Sequence, residues 1–255
     1  MTIPTDRHTK AASAVADAVR AEALTKIYGT GDTAVRALDH VDVSFRAGRF
    51  TAIMGPSGSG KSTLMHCLAG LDAATSGRVV LGGTDLSGLD DTALTLLRRD
   101  RVGFVFQAFN LLPTLDAKAN VLLPLRLAGR QPEPEWFDTV VDVLGLRDRL
   151  GHRPSELSGG QQQRAAIARA LITRPDVVFA DEPTGNLDSR SGIDVLDLLR
   201  TSVRDLGHTV VMVTHDPAAA AYADRVVLLA DGRVAGEIDE PTVDTVIDGL
   251  RELGG

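Results

Sequence analysis

A single cysteine, Cys67, stands among the 255 residues. That excludes an intrachain disulfide and the disulfide-scaffold class of secreted domains. Positive charge is not in excess: 27 Lys+Arg face 34 Asp+Glu, a formal net charge of −7. This is the wrong balance for neutralising phosphates, so no nucleic-acid partner is expected. No segment approaches the roughly 18 consecutive apolar residues of a membrane span; the longest runs, such as Val226–Ala230, are strand-sized. No spacing of Cys, His and carboxylates suggests a structural metal site. Internal repeats, low-complexity segments and heptad runs are also missing. Asp6, His8 and Asp17 interrupt the alanine-rich stretch 1–18 before a signal-peptide core can form. The chain is therefore expected to be cytoplasmic, with 1–18 a flexible, solvated extension; a weak membrane-surface helix there is the alternative.

What is plentiful is glycine: 25 residues, about 10% against a usual ~7%. With 44% apolar residues, the length suffices for a sizeable core. Strand-length apolar runs at Phe50–Met54, Val102–Phe106, Val177–Ala180, Thr209–Val213 and Val226–Ala230 alternate with helical stretches near 116–128, 159–173 and 190–206. Near-continuous apolar strands between helices indicate an α/β fold with a mostly parallel sheet covered on both faces. Residues 19–46 and 77–86 suit short strands of a small antiparallel sheet, and Asp231-Gly232 a hairpin turn. Residues 108–174 lack a convincing strand and suggest a helical subdomain. The main domain is expected over 19–240, with a helical tail over 241–255.

Gly55-Pro56-Ser57-Gly58-Ser59-Gly60-Lys61-Ser62 fits the P-loop pattern, with a strand before it and a helix after it. Glycines let backbone N–H groups turn inward onto phosphate oxygens, and the helix N-terminus adds unpaired donors. Lys61 would reach the β- and γ-phosphates of ATP, and the Ser62 hydroxyl would ligate Mg²⁺. Val177-Val178-Phe179-Ala180 runs into Asp181-Glu182, which puts two carboxylates at the carboxyl edge of a parallel sheet, where open α/β folds bind ligands. Asp181 suits the Mg²⁺ role, and Glu182 is placed to take a proton from attacking water. Further on, Leu157-Ser158-Gly159-Gly160-Gln161 reads as a Ser-capped helix start whose glycine-opened terminus can accept a second anion.

That last run, continued by Gln162-Gln163-Arg164-Ala165, resembles the signature motif of ATP-binding-cassette (ABC) ATPases almost letter for letter. The resemblance extends from about residue 20 to about residue 235. Gln107, ending Val105-Phe106-Gln107, matches the Q-loop; Pro183-Thr184-Gly185-Asn186-Leu187-Asp188 matches the D-loop; Thr214-His215-Asp216 matches the switch histidine; and Tyr28 lies at the place of the adenine-stacking aromatic. The resemblance implies a P-loop NTPase fold and a role for each of these residues. Tyr28 would stack on adenine, residues 55–61 would hold the phosphates, and Thr63 would touch the α-phosphate. Gln107 would link Mg²⁺ and the attacking water to the helical subdomain, and His215 would contact the γ-phosphate while orienting Glu182. It also implies that Ser158 and Gly160 bind the γ-phosphate held by another subunit, so that two chains sandwich two ATPs head to tail. For Tyr28 a plain strand-end aromatic, and for Gln107 a plain surface residue, are the alternatives. His8, His40, His66, His152 and His208 carry no assignment, and Cys67 is read as a small buried hydrophobe.

The runs Gly103–Pro113 and Ala180–Asp188 resemble the subfamily serving lipoprotein-release, macrolide-export and cell-division permeases, which have few membrane spans and large extracytoplasmic domains. The implied function is an ATPase subunit at the inner face of the cell membrane, driving a separate permease for export or extraction. The alternatives are a regulator of a cell-division type permease without transport, and a soluble non-transport cassette ATPase.

Overall fold

The computed structural model describes residues 16–253. The chain opens with two long strands, β1 (Asp17–Tyr28) and β2 (Val35–Arg46), and then runs through the buried β3 (Phe50–Met54) into α1 (Lys61–Leu68). β4 (Ser76–Leu81), β5 (Thr84–Asp85) and α2 (Asp91–Arg101) lead to β6 (Val102–Phe106). Next come α3 (Ala117–Val121), α4 (Leu123–Leu127), α5 (Pro134–Val143) and α6 (Gly159–Leu171), with no strand between β6 and β7 (Val177–Asp181) among the described residues. α7 (Ser189–Arg204), β8 (Val210–Val213), α8 (Pro217–Ala220), β9 (Arg225–Ala230), β10 (Arg233–Asp239) and α9 (Val243–Glu252) complete the chain.

Two sheets result. The smaller is antiparallel, ordered β2-β1-β4-β5; the larger is ordered β10-β9-β3-β8-β7-β6 and is parallel apart from the β9–β10 hairpin. Asp231 and Gly232 both have positive φ, 48° and 74°, the backbone that a two-residue hairpin turn demands. Alternation along each parallel strand feeds two cores. Val210 and Met212 of β8 join one with α6 and α7, while Val211 and Val213 join another with α1 and the antiparallel sheet. Each such buried aliphatic side chain contributes about 1.5–3 kcal/mol of transfer free energy. Both faces are covered, which is why these strands are apolar at consecutive positions.

Two expectations need correction. β1 and β2 are twelve-residue strands rather than short ones, because several register shifts let them bend while still pairing. The helical stretch 116–128 divides at Leu122: Pro124 offers no N–H to continue the first helix and instead starts the second. The tail helix spans Val243–Glu252, with a Thr242 cap and Val246 buried against the core. The proposed extension 1–18 lies almost wholly outside the described residues, whose first strand begins at Asp17.

The strand order places the chemistry. β8 lies between β3 and β7, so the loops after these three strands emerge side by side at one sheet edge, each about 5 Å from the next.

Candidate active site

The loop after β3 is shaped by positions where only glycine fits. Gly55 has φ 151°, and a Cβ there would stand 1.9 Å from the Leu229 carbonyl; at Gly60, φ 99°, it would stand 2.4 Å from that of Ala37. The loop is tied by Ser59 N–H to Pro56 O (3.2 Å) and by Gly232 N–H to Ser59 O (3.0 Å). Lys61 Nζ donates to Gly55 O at 2.9 Å and Pro56 O at 2.8 Å, so the loop closes around the ammonium. Burial pushes that ammonium below the usual lysine value, against the pull of Glu182. Gly60, just before α1, has no side chain to cap the helix, so the helix's first N–H groups, including those of Ser62 and Thr63, have no side-chain acceptor. Ser59 Oγ is buried without a partner. Pro56, Ser57 and Gly58 complete the loop, with Ser57 and Gly58 exposed at its tip.

β7 delivers Asp181 and Glu182 to the same edge. Asp181 is half-buried, and none of the hydrogen bonds or ion pairs among the described residues engages its carboxylate. Burial pushes its carboxyl above the usual value, with the His66 ring opposing and Glu182 reinforcing that shift. The next residue, Glu182, has φ 45°, a backbone that costs on the order of 1–3 kcal/mol outside glycine; its N–H donates to Val213 O at 2.9 Å. That kink turns the side chain towards the loop after β8, where Glu182 Oε1 and His215 Nδ1 are 2.7 Å apart. Ser62, Gln107 and Asp181 offer only oxygen donors, the set that Mg²⁺ takes beside phosphate oxygens. The half-buried carboxylate without a cationic partner fits such an ion. No cluster of three or more His, Cys, Asp or Glu residues among the described residues could hold a metal by itself.

Gln107 follows β6 and is tied to the loop after β7: its Nε2 donates to Asn186 Oδ1 at 3.0 Å, and Asn186 Nδ2 donates to Gln107 O at 3.1 Å. A Cβ at Gly185 would come within 2.8 Å of Gln107 Nε2, so glycine there permits the pairing. Asp188 caps α7, accepting from the N–H groups of Arg190 and Ser191 and from Ser191 Oγ at 2.7 Å. Ser158 caps α6 reciprocally with Gln161, Ser158 N–H donating to Gln161 Oε1 at 2.9 Å. Leu157 is buried just before the cap. Gly159 sits against Leu187 and Gly160 against Ser191, and no hydrogen bond among the described residues joins 157–161 to the phosphate loop. Tyr28 ends β1 on the other side of that loop and is 42% exposed.

The family of the chain follows from its likeness to known proteins. Residues 38–185 match the ABC transporter family. The chain belongs to that family. The cassette is 47% identical over 230 residues to the macrolide export ATP-binding/permease protein MacB of Brucella melitensis, and 50% identical over 220 residues to MacB of Rhodospirillum rubrum. These matches take in 89% and 86% of this chain but only 35% and 34% of those proteins, so the cassette spans about a third of the relatives' length. Among solved structures it resembles a dimeric ATP-binding cassette in a post-hydrolysis state bound to ADP and Pi. That match has a TM-score of 0.77 and 41% identity, and covers 88% of this chain and 99% of that one. It also resembles cbiO1 of Clostridium perfringens, part of the ABC transporter complex cbiONQ (TM-score 0.79, 27% identity, 93% and 94% covered).

Two side chains that tie the cassette together carry no assignment from sequence. Gln163, wholly buried in α6, donates to the carbonyls of Phe106 and Pro183, joining the signature helix to the strand ends bearing Gln107 and Glu182. Asn186 is the partner of Gln107. Both contacts bridge segments distant in the chain, and an amide in a Gln-rich helix start or a turn carries no local signal of them.

Proposed function

We propose that this cassette binds ATP with Mg²⁺ at residues 55–63, hydrolyses it to ADP and phosphate, and drives a separate membrane permease by ATP-dependent head-to-tail pairing with a second cassette. The observation that carries the reading is the 2.7 Å contact between His215 and Glu182 at the sheet edge beside the phosphate loop. Glu182 accepts the proton of the attacking water, and His215 holds the carboxylate so that its free oxygen faces that water. Lys61 and the N–H groups of the loop receive the phosphates, Thr63 stands by the α-phosphate, and Tyr28 carries the adenine. Mg²⁺, when bound, offsets the charge of the β- and γ-phosphates. Ser62, Asp181 and Gln107 would hold it through their side-chain oxygens. Asp188, at the start of α7, lines the surface where the two cassettes meet.

The signature residues 157–161 pack beside the Q- and D-loops rather than against their own chain's phosphate loop. This supports a site completed by Ser158 and Gly160 of a second chain, either an identical copy or a paired cassette. Export or extraction from the membrane is the favoured direction, because the relatives are macrolide export proteins that carry a permease in the same chain. The partner would be an integral membrane permease of few spans with a large extracytoplasmic domain, and the cassette would sit at the inner face of the membrane. No helix among the described residues is long and apolar enough to cross one. A cleft of ≈640 Å³ lined by Leu71, Leu96, Phe104, Leu127 and Arg169 gives a permease segment an apolar seat beside β6, the strand that precedes Gln107.

Glu182→Gln tests the chemistry. The amide cannot accept the proton, so turnover should fall by on the order of 10²–10⁴ while ATP binding and an ATP-bound dimer persist on size exclusion. Turnover at the parent level would refute the assignment.

A further inference from the structure

Tyr28 stands at the end of β1, and two contacts hold its side chain, one to Asp72 and one to Lys26. Its hydroxyl donates to Asp72 Oδ2 at 2.6 Å. The other carboxylate oxygen, Oδ1, accepts from Lys26 Nζ at 2.5 Å. Lys26 and Tyr28 are two apart on β1 and so project to one side, and the ammonium lies 4.8 Å from the centre of the tyrosine ring. Lys26 Nζ also donates to Ala73 O at 2.7 Å. The loop that carries Asp72 is itself fixed at both ends. Leu71 N–H donates to His66 O at 2.8 Å, and Thr75 N–H to Thr25 O at 2.8 Å; Thr75 Oγ1 accepts from Ile27 N–H at 2.9 Å. This loop leaves the end of α1, whose first residue is Lys61. The Asp72 loop therefore leaves the carboxyl end of the same short helix whose amino end follows the phosphate loop, and the Tyr28 hydroxyl also meets Thr63 in that helix's first turn. The hydrogen bond to Asp72, with burial, holds the Tyr28 phenol above its ordinary value, against the opposing pull of Thr63 and Lys26.

We infer that Asp72 and Lys26 are positioning residues for the nucleotide base. They fix the tyrosine ring before ATP arrives, with the ammonium over one face and the opposite face left for the adenine. This rests on the reading of Tyr28 as the base platform. An unanchored tyrosine would have to be immobilised at binding, and the anchor removes that cost. A plain fold staple between β1 and the loop after α1 would use the same contacts, but it would not distinguish ligands that have a base from ligands that lack one.

The test measures dissociation constants of the full chain for a non-hydrolysable ATP analogue and for inorganic tripolyphosphate, both with Mg²⁺. Tyr28→Phe and Asp72→Ala should each weaken the ATP analogue about 2- to 12-fold, the cost of ordering one side chain, and leave tripolyphosphate binding unchanged. The double variant should be no weaker than Asp72→Ala alone, and Asp72→Asn, which still accepts the hydroxyl, should recover part of the loss. If Tyr28→Ala weakens the analogue while Tyr28→Phe and Asp72→Ala bind it like the parent, the platform stands and the anchor is refuted. Equal weakening of both ligands also refutes the anchor, since the damage would then lie in the phosphate loop. If even Tyr28→Ala binds unchanged, the platform reading falls and the anchor with it. Tyr28→Phe removes one exposed hydroxyl and keeps the test open should Asp72→Ala fail to fold.

Discussion

His208 sits at the amino end of β8, away from the nucleotide edge, and it should make the cassette lose stability in mild acid. The side chain is 7% exposed and its ring centre lies 5.6 Å from that of Trp136, whose other neighbour is the Arg174 guanidinium, 4.7 Å from the indole. Burial, reinforced by Arg174 and opposed by the Pro175 carbonyl, pushes the imidazole down to about 4. His208 Nε2 has no partner, so a proton added there would meet no acceptor. The unfolded chain takes up the proton near pH 6.5 and the folded chain only near 4. Stability is thus full above pH 6.5 and declines as the pH falls towards 4. The loss is about 1 kcal/mol at pH 5.5 and about 3 kcal/mol in full. Trp136 is the only tryptophan, so its emission follows unfolding next to the titrating group. Between pH 7.5 and 5.5 the urea midpoint of the parent should fall by roughly 0.5 M more than that of His208→Phe, for a slope of about 2 kcal/mol per molar urea. Equal pH dependence in the two proteins would mean that His208 is protonated inside the fold, and the argument from burial would be wrong.

Sharing of the site is tested by mixing Lys61→Ala with Ser158→Arg. Each variant alone should trap no nucleotide, whereas the mixed pair carries one site with both lesions and one with neither and should trap one ATP per dimer. No recovery, with mixed pairing confirmed independently, would mean that each chain completes its own site. Within β2, Asp39 is held by Arg36 (2.6 Å), His40 (2.8 Å) and Arg233. The His40 hydrogen bond first, then those of the two arginines, keep its carboxyl well below the usual range. The stability it supplies is full above the unfolded value of pH ~4 and declines progressively as the pH falls below it towards the folded one. Asp39→Asn should therefore show a shallower decline in urea midpoint between pH 5 and 3 than the parent, and parallel declines would refute this.

Much of the site was legible because its signals are local. The phosphate loop is a run of glycines between an apolar strand and a helix, and backbone sterics alone require that composition. Asp181 and Glu182 follow directly from a strand that is buried on both faces, and Ser158 caps its helix as expected from a serine before the glycine pair. The split at Leu122 was legible too, from Pro124, but the apolar periodicity on either side masked it. By contrast, the Glu182–His215 contact needs β8 to lie beside β7, and the expectation for it came from family resemblance rather than from spacing.

Side-chain type and spacing by themselves determined which strands would form the parallel sheet, where a glycine-built loop would join a strand to a helix and which carboxylates would stand at the sheet edge. These depend on backbone sterics and on apolar burial, both of which act over a few residues. Strand order, set by packing across the whole domain, decided the rest. It put β8 between β3 and β7, brought Gln107 to Asn186 across 79 positions, and laid Asp72 against Tyr28 across 44. A hydrogen bond between such distant residues leaves no periodic trace in either segment, because its geometry exists only once both sheets have closed around their cores.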